Sequence, residues 1–186
     1  MDWLRKVLVA GWAVALLGGC SVYDSRYVFG PKPVDVESAV PGATDVEPVR
    51  TLVSVVGVRR ADDEAQLPAS IEVRFRVENT TPASVTFDPT SLALFSADLK
   101  QFPAPIVEPP DPFNVEPQAS AVVEAFFPFP DEASPADFDL SGLNVRWTMR
   151  IGGQPVTSSA SFTRRREVYY PRHSFHFGIG YRRYCW

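Results

Sequence analysis

Between Ser21 and Arg172 the chain has no cysteine and no histidine. That removes the Ser/His/Asp and Cys/His nucleophilic arrangements from this region, and with them zinc sites of the usual Cys/His type. A glycine-rich phosphate loop and a His-Glu-x-x-His helix are also missing. Two cysteines in 186 residues, Cys20 and Cys185, cannot build a disulfide framework, so a packed core has to hold the fold. Long apolar runs are lacking too. The longest, Val7 to Leu17, is eleven residues, whereas a membrane-crossing helix needs about 20. What remains for chemistry is carboxylates. Glycoside hydrolysis needs two acids flanking a bond, and Asp62, Asp63, Glu64, Asp131 and Glu132 are available. All five fall in predicted loops, where solvated surface charge is their ordinary role. The reading is a protein that is not an enzyme and needs no cofactor.

What is present begins at the N-terminus. Arg5 and Lys6 precede the eleven-residue apolar run, which ends in Leu16-Leu17-Gly18-Gly19-Cys20. A basic flank, a short apolar core and small residues before a cleavage point form the signal-peptide pattern. The stretch resembles the lipobox of bacterial lipoprotein signal peptides. The resemblance implies cleavage after Gly19, removing residues 1–19, and lipidation of Cys20 as the first mature residue. It implies attachment to the cell envelope through the lipid. Ser21 in the next position leans towards the periplasmic face of the outer membrane. Several acyl chains, each methylene contributing about 0.8 kcal/mol, make such attachment effectively permanent.

Residues 20–48 contain Pro31, Pro33, Pro41 and Pro48 with scattered charge and no helical periodicity. They read as a tether, spanning about 30 Å as a flexible coil. Tyr23, Tyr27 and Phe29 near its lipid end either rest at the membrane interface or pack on the domain.

From Val49 to Thr163 the pattern changes to two-residue alternation. Ile71, Val73, Phe75 and Val77 point one way, and Glu72, Arg74, Arg76 and Glu78 the other, as in a half-buried antiparallel strand. Further strands are expected over 51–59, 84–87, 91–96, 120–127, 144–151 and 155–163, with Gly152-Gly153 as a hairpin turn between the last two. Trp147 falls on the inward face of its strand. Seven strands in this span predict an all-β antiparallel sandwich.

The run Ile71 to Thr81, the Pro-containing turn after it, Phe87-Asp88-Pro89 and Glu116-Pro117-Gln118-Ala119 resemble the immunoglobulin-like domains of small bacterial lipoproteins. Those include the domain shared with late-embryogenesis-abundant and water-stress proteins. The resemblance implies an immunoglobulin-like fold over about residues 48–163, without the disulfide of antibody-type domains. Asn79-x-Thr81 fits a glycosylation sequon, which is incidental in a bacterial lipoprotein.

Asp137-Phe138-Asp139-Leu140-Ser141-Gly142 opens like a calcium loop, with oxygen ligands at alternate positions and a glycine for the turn. The twelfth position, where the bidentate Glu belongs, is Thr148. The other reading is a turn capped by Asp and Ser with Phe138 and Leu140 packed inward. No metal site is expected. His173 and His176, three apart, share a face on a helix and diverge on a strand.

Charge divides the chain. Residues 20–163 carry 20 acidic and 10 basic side chains, whereas residues 164–186 carry six Arg and one Glu. This basic-aromatic tail makes Arg164, Arg165, Arg166, Tyr169, Tyr170, Arg172, Arg182 and Arg183 the candidate partner-binding residues. Three roles are open to it. It docks on the sandwich, it binds an anionic glycan or lipid, or it orders on a protein partner by adding a strand to a sheet edge. Arginine among aromatics also suits nucleic acid, but an exported protein meets little of it. The functional expectation is a lipid-anchored, non-enzymatic adaptor that binds another envelope protein. The alternative is a ligand-binding lipoprotein whose tail contacts an anionic glycan or lipid.

Overall fold

In a computed structural model of the chain, the described residues are 22–40, 47–62, 67–130 and 133–165. Tyr23–Glu167 forms one compact unit. The other unit, Met1–Val22 with Val168–Trp186, lies outside the described residues except for Val22. Among the described residues no helix is long and apolar enough to cross a membrane.

Among the described residues eleven strands build the unit: β1 (Val28–Gly30), β2 (Val34–Ser38), β3 (Val49–Arg59), β4 (Ser70–Glu78), β5 (Val85–Phe87), β6 (Ala93–Ser96), β7 (Ile106–Glu108), β8 (Phe113–Val115), β9 (Ser120–Pro128), β10 (Gly142–Ile151) and β11 (Gln154–Arg165). They form two antiparallel sheets packed as a sandwich. One has the order β2-β3-β4-β9-β7. The other has the order β1-β11-β10-β5-β8, with β6 also paired to β10. The expected seven strands correspond to β3–β6 and β9–β11. The other four are short and bounded by proline.

Alternation decides what goes inside. Ile71, Val73, Phe75 and Val77 of β4 and Val145, Trp147, Met149 and Ile151 of β10 are buried from opposite sheets. Phe75 meets Trp147 edge-on at 5.6 Å and Phe87 at 5.8 Å, a contact between the two layers. Burying each such side chain contributes about 1.5–3 kcal/mol. Among the described residues the Trp147 indole N–H has no hydrogen-bond partner, so its place in the core is argued from area and ring contacts. A second aromatic cluster, Phe102, Phe129 and Phe138 with centroids 4.7–5.6 Å apart, closes one end of the sandwich.

Polar groups that must be buried are satisfied locally. Asn79, 1% exposed, donates to the carbonyls of Ala83 and Val115 and accepts from the Thr81 N–H and hydroxyl. Its amide nitrogen is therefore committed and sheltered, which takes the sequon out of play in the folded chain. Ser91, in the 3-10 turn Pro89–Ser91 between β5 and β6, accepts from Thr148 N–H at 3.0 Å. That hydroxyl fills the gap in the ladder along β10.

Two expected boundaries are corrected. The stretch read as a tether over residues 20–48 joins the sandwich for much of its length. Val28–Gly30 pair with Arg165–Thr163 of β11, and Val34–Ser38 pair with Val53–Val49 of β3. Proline is compatible with this because both are edge strands, where one row of N–H groups needs no ladder partner. Phe29, 1% exposed, is a core residue. The tail does not begin at residue 164 either, since Arg164 and Arg165 finish β11 opposite Phe29 and Val28.

Candidate functional site

Of the candidate partner-binding residues, Arg164 and Arg165 are described. Arg166, Tyr169, Tyr170, Arg172, Arg182 and Arg183 lie outside the described residues, as do Cys20, Cys185, His173 and His176. The site that can be built is the corner where β1 enters and β11 leaves.

The chain is strapped to this corner from its first described residues. Tyr23 bridges to Arg59 at the end of β3, and Asp24 N–H donates to the Val58 carbonyl at 2.8 Å. The Tyr23 ring runs beside Gly57, where an added Cβ would stand 3.4 Å from it. The β3–β4 pairing shifts register between Val55 and Gly57, at the point where the ring approaches. The Tyr23 hydroxyl donates to Glu72, which is 3% exposed. Burial first, and then the Glu72 carboxylate, push the Tyr23 phenol up to about 12. Arg74 also approaches Glu72 at 3.4 Å, so the buried charge has both an O–H donor and a cation. Beside it, Arg26 holds Asp24 in a two-pronged pair at 2.6 and 3.0 Å. That guanidinium lowers the Asp24 carboxyl below its ordinary value.

Arg164 sits over the Tyr27 ring at 4.6 Å and donates to the Arg26 carbonyl at 3.1 Å. Its own N–H reaches the Ser141 carbonyl at 2.8 Å. Between this pair and the loop before β10 lies a groove of 390 Å³ lined by Tyr27, Phe138, Asp139, Ser141 and Arg164. The loop follows the capped-turn reading. Ser134 and Asp137 form a reciprocal capping box around the 3-10 turn Pro135–Asp137. Asp139 accepts from Ser141 N–H at 3.0 Å, and Leu140 is buried while Phe138 stacks on Phe102. Both carboxyls are held below their ordinary value, Asp137 by the Ser134 N–H and then its hydroxyl, Asp139 by the Ser141 hydroxyl and then its N–H.

Arg165 extends along the outer face beside Gly30, where a Cβ would collide with its guanidinium. Lys32 lies close by, donating to the Val56 carbonyl at 2.9 Å. Partial burial, and then the Arg165 charge, lower the Lys32 ammonium. Sequence reading missed Tyr27, Lys32 and Ser141 as members of this site. Tyr27 carried a signal as one of the aromatics near the lipid end, and Ser141 as an oxygen-bearing position of the calcium-like loop, whereas Lys32 carried none.

A second groove of 300 Å³ lies at the edge of the other sheet, lined by Arg59, Leu67, Ile106, Glu108 and Phe126. Arg59 lies over the Phe126 ring at 5.5 Å. Of the five loop carboxylates, only Asp62 is described, in an isolated bridge with Leu67. Asp63, Glu64, Asp131 and Glu132 lie outside the described residues.

No protein-family model matches the chain, and no curated protein sequence matches it.

Proposed function

We propose that the protein is a lipid-anchored, non-enzymatic binding module of the cell envelope, an adaptor that engages another envelope protein through its basic-aromatic C-terminal residues. The observation that carries this reading is the pairing of Val28 with Arg165. It sets the first residue of β1 and the last residue of β11 side by side at one corner of the sandwich. An acyl anchor and a partner-binding arm would then share one end of a rigid body, as an adaptor on a membrane surface requires. The outer membrane's periplasmic face is the proposed location, on the strength of Ser21. We read the sandwich as immunoglobulin-like, a reading supported by the buried Trp147 packing on Phe75 across the two layers.

The test is a crosslinking pull-down from intact envelopes, comparing the full chain with one ending at Arg165. Stopping at Thr163 instead would remove two residues of β11 and confound binding with folding. Loss of one specific protein partner with residues 166–186 supports the adaptor. Identical recovery from both chains overturns it.

A further inference from the structure

The corner bears a charge pattern unlike the rest of the domain. Five described cations, Arg26, Arg50, Arg74, Arg76 and Lys100, form ion pairs with described carboxylates. Seven do not. Arg146 and Arg150 stand on the outer face of β10, and the other five, Lys32, Arg59, Arg60, Arg164 and Arg165, gather at the end where β1 and β11 meet the end of β3. Against them stand, among the described residues, Asp62, Glu108 beside Arg59, Asp137 and Asp139, of which the last two are held by hydrogen bonds to Ser134 and Ser141, together with Asp24 and Glu72, which are matched by Arg26 and Arg74. Among the described residues the cations at this end outnumber the carboxylates that face them, whereas residues 20–163 as a whole carry 20 acidic and 10 basic side chains.

We propose that this corner is a membrane-facing surface whose Lys32, Arg60, Arg164 and Arg165 take anionic lipid headgroups. The inference rests on the reading of Cys20 as the acylated residue and goes beyond it. Because Tyr23 is already bonded to the sandwich, only Ser21 and Val22 separate it from Cys20, three Cα-to-Cα steps along the chain. At about 3.3–3.6 Å per residue they reach no more than about 11 Å. An anchor at Cys20 therefore leaves no tether. The β1–β11 corner is pressed against the headgroup layer, within the range over which exposed cations feel an anionic surface. Arg164 on the Tyr27 face adds an aromatic-guanidinium pair of the kind that suits a boundary with one wet and one apolar side.

The experiment uses the acylated full chain reconstituted into vesicles of phosphatidylcholine alone or of phosphatidylcholine with phosphatidylglycerol. Backbone hydrogen exchange is followed over residues 22–30. On the anionic vesicles exchange should slow by roughly fivefold for each engaged cation, and the difference should vanish at about 1 M salt, where the screening length is about 3 Å. Lys32→Glu/Arg165→Glu, both exposed positions, should abolish the slowing. Arg146→Glu/Arg150→Glu changes net charge equally on another face and should keep it. Equal exchange on both vesicle types with Cys20 acylated overturns the inference and leaves the anchor standing. Loss of the slowing in both double variants also overturns it, because net charge alone would then be responsible. An intact mass showing Cys20 unmodified overturns the anchor reading and the inference together.

Discussion

The interior around Trp147 and the corner around Arg164 are built on opposite physics. Around Trp147 nearly every atom is apolar and hidden, and the indole N–H is left without a partner among the described residues. At the corner the contacts are ring faces, guanidinium groups and single hydrogen bonds, and much of the surface is wet. The first region makes the sandwich fold and offers nothing to a partner. The second contributes little to stability and holds most of the described cations that form no ion pair with a described carboxylate. Stability and recognition are thus separable in this molecule, and substitutions can pull them apart.

The largest effect should come from the interior. Trp147→Ala empties a site shared by both sheets and should destabilise by about 3–5 kcal/mol, read as a fall in the urea midpoint. A loss below 1 kcal/mol would show that the two layers do not depend on that side chain. Next comes Asn79→Ala, which leaves the Ala83 and Val115 carbonyls and the Thr81 N–H without their side-chain partner. At about 1–3 kcal/mol for a buried group left unsatisfied, a cost of about 2 kcal/mol is expected in the same assay.

Tyr23→Phe probes the boundary between the two regions. Removing the hydroxyl strips a donor from the buried Glu72 carboxylate and should cost about 1–2 kcal/mol at neutral pH. The pH profile gives a sharper test. The folded-state pKa of Tyr23, about 12, lies above its ordinary value of 10.0. The folded state therefore holds the proton more tightly, and the contribution is intact below pH 10 and lost as pH rises through about 12. Wild type should lose stability relative to Tyr23→Phe across that window, and parallel curves would refute the coupling. The smallest effect belongs to the corner itself. Arg164→Ala removes an exposed cation–ring contact worth about 0.5–1 kcal/mol. It should leave the urea midpoint nearly unchanged.

How much of this could be read from sequence follows the same division. Apolar alternation is strongest where one face is fully buried, so β3, β4, β9 and β10 and the inward place of Trp147 were legible. In β11 the outward residues are Ser and Thr, and alternation still showed in Ala160 and Phe162. The edge strands were not legible. β1, β7 and β8 are three residues each, too short for a periodic signal, and Pro31, Pro105 and Pro112 beside them argue for loop. Val34-Asp35-Val36-Glu37 alternates plainly, yet Pro31 and Pro33 in front of it outweighed the pattern. The corner was half legible. Arg164 and Arg165 stood out as basic, but Tyr27 and Lys32 join them only through the β1–β11 pairing, a contact more than 130 positions apart along the chain. The same prolines protect the sheet edges, since short strands flanked by residues without an N–H make poor templates for another strand.

The pairing of β1 with β11 also governs how the domain bears load. Val28 and Arg165 form the outermost rung of a three-rung ladder, and the chain leaves both residues on the same side. A pull between the segment before Val28 and the segment after Arg165 loads that rung first, then Phe29 with Arg164, then Gly30 with Thr163. The rungs open one after another, as in a zipper, instead of resisting together as in shear. The long pairing of β10 with β11, ten rungs from Gly142 to Ile151, lies behind them. Tension applied ahead of Tyr23 meets the Tyr23–Arg59 bridge and the Asp24–Val58 hydrogen bond before it reaches these rungs, and opening them draws Phe29 out of the core.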